Sequence, residues 1–243
     1  MANPKLPPLH DLVRLWRSSL SETVAAMEQH LLQPPAPVRY TKARSIAMPA
    51  FSRAISFKSL EQACYATGID AEAKMNAEVT RLIWDHGDGR NVRCFDLRDK
   101  RLSIPDGRIR LRRDVVVRVN VDFLYVEAQK IRYFWAQFRK TFALSDVQLG
   151  VIASVFRRTF LVDEHEAADL DIFDMSVPAG ASDRYPRLLR LSELTTIADD
   201  AVIEVLQRVV DAYDIVCSKD IDWRAARTRR PPKSFEGDLF PPP

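Results

Sequence analysis

The run Arg113-Asp114-Val115-Val116-Val117-Arg118-Val119-Asn120-Val121-Asp122-Phe123-Leu124-Tyr125-Val126-Glu127-Ala128-Gln129 places acids on two apolar, β-branched stretches joined by Asn120-Val121. If Asn120 and Val121 make a two-residue turn, Val119 pairs with Asp122, and the register sets Asp114 opposite Glu127 on one sheet face. Gln129 lies two residues beyond Glu127 and shares that face, whereas Lys130 points away. The pairing is conditional: a loop of odd length separates the acids, and a type I′ turn prefers Gly where Val121 stands. Adjacent carboxylates repel unless a cation lies between them. Mg²⁺ suits such a place, because it takes hard oxygen ligands, keeps waters and bridges to phosphate. Metal-bound water deprotonates more easily and the metal stabilises charge on phosphorus oxygens, so the chemistry suggested is metal-dependent phosphodiester hydrolysis.

An acid at the start of one strand, an acid-x-polar triplet on the next and a preceding helix with a Glu resemble the PD-(D/E)xK nuclease superfamily. The arrangement is most similar to TnsA-type transposon endonucleases. The resemblance covers roughly residues 50 to 160 and rests on a short, degenerate motif. It implies a mixed sheet flanked by helices in a restriction-endonuclease-like core, DNA as substrate, and Mg²⁺ or Mn²⁺ as cofactor. Within it Glu61, on Phe57-Lys58-Ser59-Leu60-Glu61, corresponds to the helical acid, Asp114 to the metal-binding Asp and Glu127 to the second metal ligand. Gln129 stands where the family usually carries Lys, and Arg113 replaces the usual Pro. A neutral amide orients water but supplies no charge to the transition state. The same residues also have plain structural uses: Asp114 ending a strand, Glu127 pairing with Arg112 or Arg118, and Glu61 favouring a helix N-terminus.

Elements must position these groups. Leu9, Leu12, Val13, Trp16, Leu20, Val24, Met27 and Leu31 recur at helical spacing, and Pro34, Pro35 and Pro37 follow. Residues 1–37 therefore read as an amphipathic helix with a Pro-rich connector, residues 38–222 as the core, and the basic, Pro-rich 223–243 as an unfolded tail. Ser59 and Gln62 offer a capping box, Gly68 a stop, and 71–84 a second short helix ending at Asp85-His86-Gly87-Asp88-Gly89. Short branched or aromatic runs at 92–97, 102–104, 109–111, 115–119 and 123–126 read as a β-meander. Residues 131–142 and 145–160 look helical, the second opening on a capping box of Ser145 and Gln148. The acidic run from Asp163 to Asp174 matches no EF-hand spacing and reads as a solvated segment. Residues 176–187 read as loop and 198–216 as an amphipathic helix. The class expected is α+β or α/β, with a mixed, mainly antiparallel sheet between helices.

Charge is uneven rather than large. Among 243 residues, 36 Lys and Arg face 33 acids, a net +3 too small to name a partner. Basic residues nevertheless gather at Arg98, Lys100, Arg101, Arg108, Arg110, Arg112 and Arg113, and again at Lys130, Arg132, Arg139 and Lys140. Such a distribution suits phosphate contacts, with Arg108, Arg110, Arg112, Arg113, Lys130 and Arg132 the candidates; Arg108, Arg110 and Arg112 on one face would equally mark a solvated edge strand. The helix-turn-helix-like spacing in 144–159 lacks a turn Gly and reads better as one core helix. Three cysteines without CxxC spacing argue against a disulfide framework or a Cys-rich zinc site. P-loop, dinucleotide and GxSxG motifs are absent. No run of about 18 apolar residues occurs and no secretory leader is legible, so the expectation is a cytoplasmic chain that touches no membrane. The function expected is a DNA endonuclease, a subunit of a mobile-element or defence complex, working with a protein partner or a second copy. The alternative is a catalytically silent DNA-binding or assembly protein on the same fold.

Overall fold

The computed structural model describes residues 6–32, 40–66, 70–99, 102–112, 115–140, 143–178 and 180–221. Gly68, Arg113, Asp114 and the 223–243 tail lie outside the described residues. Strands β1 (Val92–Phe95), β4 (Phe123–Glu127), β5 (Lys130–Gln137), β6 (Asp169–Asp174) and β7 (Arg187–Arg190) form one mixed sheet in the order β1-β4-β5-β6-β7. Every pairing in it is antiparallel except β5–β6. Strands β2 (Arg108–Arg112) and β3 (Val115–Arg118) make a separate two-stranded ribbon. The chain is thus α+β, with a mainly antiparallel sheet flanked by helices, as its patterning predicts.

Strand alternation sorts the sheet's side chains into two cores. Phe123, Tyr125, Phe134, Ala136 and Phe173 face α3 (Thr41–Ser45), α4 (Ala47–Phe51), α5 (Phe57–Tyr65) and α6 (Asp70–His86). Phe51 is the hub there, its ring centroid within 5.4 Å of Phe123, Tyr125 and Phe134. Leu124, Tyr133, Trp135, Leu170 and Ile172 face the other way, toward α1 (Leu9–Leu15), α2 (Leu20–Leu32), α7 (Asp146–Phe160) and α8 (Asp199–Cys217). The ribbon lays Val117 and Val119 on this second core, and Gly107 is needed beside it because a Cβ there would stand 2.5 Å from the Phe160 ring. The capping box of Ser145 and Gln148 opens α7 as expected, and α7 is one continuous helix.

Several local expectations are corrected. The stripe from residue 9 to 32 is two helices, because Ser19 and Glu22 form their own reciprocal cap: the Ser19 N–H donates to Glu22 Oε2 and the Glu22 N–H to Ser19 Oγ. Ser56, not Ser59, caps α5, accepting from the Ser59 N–H. The expected β3–β4 hairpin does not form: β3 pairs with β2, and Asp122 turns to β5 instead, its N–H donating to Phe134 O and its carboxylate accepting from the Ala136 N–H. Residues 130–137 are strand rather than helix; Tyr133, Phe134 and Trp135 prefer the pleated, doubly covered surface between β4 and β6. The acidic 169–174 run is not solvated but a fully buried strand beside β5, and part of the 176–187 loop gives way to β7.

Ala128 and Gln129 join β4 to β5 with φ of 49° and 65°, and Glu127 pairs with Lys130 across them. Both turn residues thus occupy the left-handed region that Asn-Gly would fill without strain. Replacing Ala128-Gln129 by Asn-Gly should stabilise the fold by about 1 kcal/mol. Urea unfolding checks this; a lowered midpoint would contradict the turn geometry.

Candidate functional site

Glu127, Tyr125, Arg132, Asp169 and Asp171 lie on the same sheet face, at the end where β4 turns into β5. The register aligns Tyr125 with Arg132 and Arg132 with Asp169, while Asp171 sits beside Arg190 of β7. Arg90 enters from the loop between α6 and β1. Its Nε and Nη2 donate to the two carboxylate oxygens of Glu127 at 2.8 and 2.6 Å, a bidentate fork, and Nη2 also reaches the Tyr125 hydroxyl at 2.9 Å. Arg90 Nη1 donates to His86 Nε2 at 2.8 Å, which leaves the His86 proton on Nδ1. The Tyr125 hydroxyl donates a short hydrogen bond to Asp171. Arg132 Nη1 bridges Asp171 and Asp169 at 3.0 and 3.3 Å, and Ser192 donates to Asp169 through its N–H and hydroxyl.

Electrostatics follow from this wiring. The hydrogen bonds from Arg90 hold the Glu127 carboxyl below the usual glutamate range, against its partial burial. Burial, then the Asp171 carboxylate, pushes the Tyr125 phenol well up, so it remains a donor. Burial and the neighbouring Arg90 charge lower His86 to about 4. Its ring stacks on Phe173, with centroids 4.4 Å apart.

The sequence-expected residues separate. Glu127 belongs to this cluster, but Arg90 takes both its oxygens. Gln129 is exposed at the hairpin tip, not on the face of Glu127, because two left-handed residues break the strand alternation. Glu61 is half-buried on α5, a helix that packs chiefly on α6. Asp114 and Arg113 lie outside the described residues. Among the described residues no three His, Cys, Asp or Glu side chains are grouped to hold a metal. Sequence reading missed Arg90, Tyr125 and Asp171, although the alternation Asp169-Leu170-Asp171-Ile172 was a usable strand signal.

The basic candidates divide likewise. Arg132 is spent on Asp169 and Asp171, Lys130 is half-exposed 3.5 Å from Asp169, and Arg112 pairs with Asp214 of α8 at 2.7 Å. Arg108, Arg110 and Arg118 are exposed on the outer side of the ribbon, with Arg108 directly opposite Arg118. Among the described residues Arg108 pairs with the exposed Asp106, and Arg110 and Arg118 make no ion pair. A cleft of about 600 Å³ runs beside β2, between residues 103–110 and the stretch from Arg158 to His165. Comparison with protein-family models, curated proteins and solved structures gave no match to this chain.

Two measurements test the cluster. In a double-mutant cycle with Arg90→Met and Glu127→Met, the coupling should be about 1–2 kcal/mol, held below the fully buried range by the partial exposure of Glu127. Additive effects would mean that the fork contributes nothing. His10, buried against Trp135, is also lowered to about 4, chiefly by burial. For both histidines the unfolded chain takes up the proton first as pH falls from about 6.5, so stability declines across the window from 6.5 to 4 and is complete above it. Glu127 adds to the loss at the acid end, as its depressed carboxyl protonates. Urea midpoints between pH 7.5 and 4.5 should fall, and the His10→Gln, His86→Gln double variant should flatten the slope. An unchanged slope in that variant would contradict the assignment.

Proposed function

We propose that this chain is a catalytically silent DNA-binding protein, in which Glu127, the carboxylate that the sequence offers as a metal ligand, serves in a structural ion pair. The observation that carries the reading is the Arg90 fork on Glu127: a guanidinium occupying both oxygens competes with any divalent cation for that carboxylate. The turn position of Gln129 supports it too, because an exposed side chain at a hairpin tip is not held against Glu127. For the partner, the support is the outward arginine face. Arg108, Arg110 and Arg118 are exposed there while Val117 and Val119 hold the ribbon on the core, so the basic face is presented to phosphates on a backbone that is already folded. Contacts of this kind bind duplex DNA with little sequence preference and strong salt dependence.

Fluorescence anisotropy with a labelled duplex over a KCl series tests the binding. Affinity should fall steeply with salt, and the Arg108→Ala, Arg110→Ala, Arg118→Ala variant should lower the slope of log K against log salt by up to about 2.7. No binding at low salt would overturn the DNA reading. Incubation with supercoiled plasmid and Mg²⁺ or Mn²⁺ tests the silence. No nicking is expected; nicking lost in both Asp114→Ala and Glu127→Ala would instead make the protein an endonuclease.

A further inference from the structure

Among the described residues the outer edge of β2 pairs with no strand, and a cleft lies along it. In the β2–β3 register the Val119 N–H donates to Gly107 O at 2.7 Å, so Gly107–Val119 and Ile109–Val117 are the hydrogen-bonded pairs. Arg108–Arg118 and Arg110–Val116 are the intervening pairs, whose backbone groups point away from the partner strand. Arg110 therefore turns its N–H and C=O outward from β3, as Arg108 does its C=O; the Arg108 N–H is used locally by Asp106 O. The cleft touches β2 at Arg108, Ile109 and Arg110 but no residue of β3, which puts it on that open side. Its far wall holds Asp163 and Glu164, both exposed, and its base is closed by His165, whose Nε2 donates to Ser103 O and whose Nδ1 accepts from the Tyr133 hydroxyl.

We infer that this cleft binds an extended peptide of a partner protein, which adds as a strand to the open edge of β2. Strand addition uses the pattern found here: main-chain groups at every second residue give affinity, and alternate side chains give specificity. Side chains of the added strand next to Arg108 and Arg110 meet two guanidinium groups and are acidic. Those between them fall on the side of Ile109, a half-buried residue packed on the main core, and are apolar. A cleft of about 600 Å³ takes a short segment rather than a domain. The inference does not depend on whether the arginine face also binds DNA.

The experiment uses the full chain and a fluorescein-labelled, end-capped peptide of alternating Glu and Val. Anisotropy should show saturable binding, at least tenfold weaker for the Lys-Val counterpart and for the Arg110→Glu variant. Two N-methylated versions separate strand addition from charge attraction. Methylation of the residues whose N–H groups face β2 should abolish binding, and methylation of the alternate set should leave it within a few-fold. Hydrogen exchange at the Arg110 amide should slow when the peptide is bound. Absence of binding, equal binding of both methylated peptides, or an unchanged Arg110 amide would each overturn the proposal.

Discussion

Three carboxylates on one central strand must leave water together, and the architecture around the sheet answers that demand. Asp169, Asp171 and Asp174 are 3%, 0% and 2% exposed. Each would cost several kcal/mol if buried without partners. Asp171 is met by Tyr125 and Arg132, Asp169 by Arg132, Lys130 and Ser192, and Asp174 by Arg187 and the Ser176 N–H. The partners come from β4, β5, β7 and the segments that flank β6. The charges therefore favour the observed strand order, in which β5 and β7 flank β6 and bring Arg132 and Arg187 to it.

The same demand accounts for what became of the carboxylate expected to hold a metal. Glu127 stands at the margin of this network, and the guanidinium of Arg90 joins it to Tyr125 and so to Asp171. Arg90 itself is retained in its charged form by Glu127 and Tyr125 despite burial, and its planar group also lies over the Phe51 ring at 5.0 Å. One side chain thus couples the aromatic core under α4 to the polar end of the sheet. A lysine there would supply the charge without the fork or the stacking.

Much of the layering was legible in the chain because it depends on local periodicity. The stripes of α7 and α8, the Ser145 cap and the branched runs of β3 and β4 all carry their own signal. Long-range pairing was not legible. Asn120-Val121 resembles a hairpin turn, yet Asp122 finds a better partner in the Ala136 N–H, and only the folded sheet brings residue 136 near. Residues 130–137 and 169–174 were misread for related reasons. Aromatic clusters suit helix or strand equally, and an aspartate at every second or third position suggests solvent unless its arginines, 13 to 39 residues away in the chain, are known to be close. Of the candidate site, Glu127 and Arg132 are legible as charged positions on strands, but their ion-pair partners Arg90 and Asp171 belong to tertiary structure alone.

The parallel pairing of β5 with β6 has a kinetic meaning. Strands β4 and β5 are joined by two residues and can zip as soon as they meet, whereas β6 reaches β5 only after α7 has crossed between them. Closing that longer loop is slow relative to a hairpin. Until it closes, the three aspartates stay hydrated and Arg132 is exposed on a hairpin edge. Desolvation of the acids then accompanies the docking of β6, with its three aspartates, onto β5, with its Tyr133, Phe134 and Trp135.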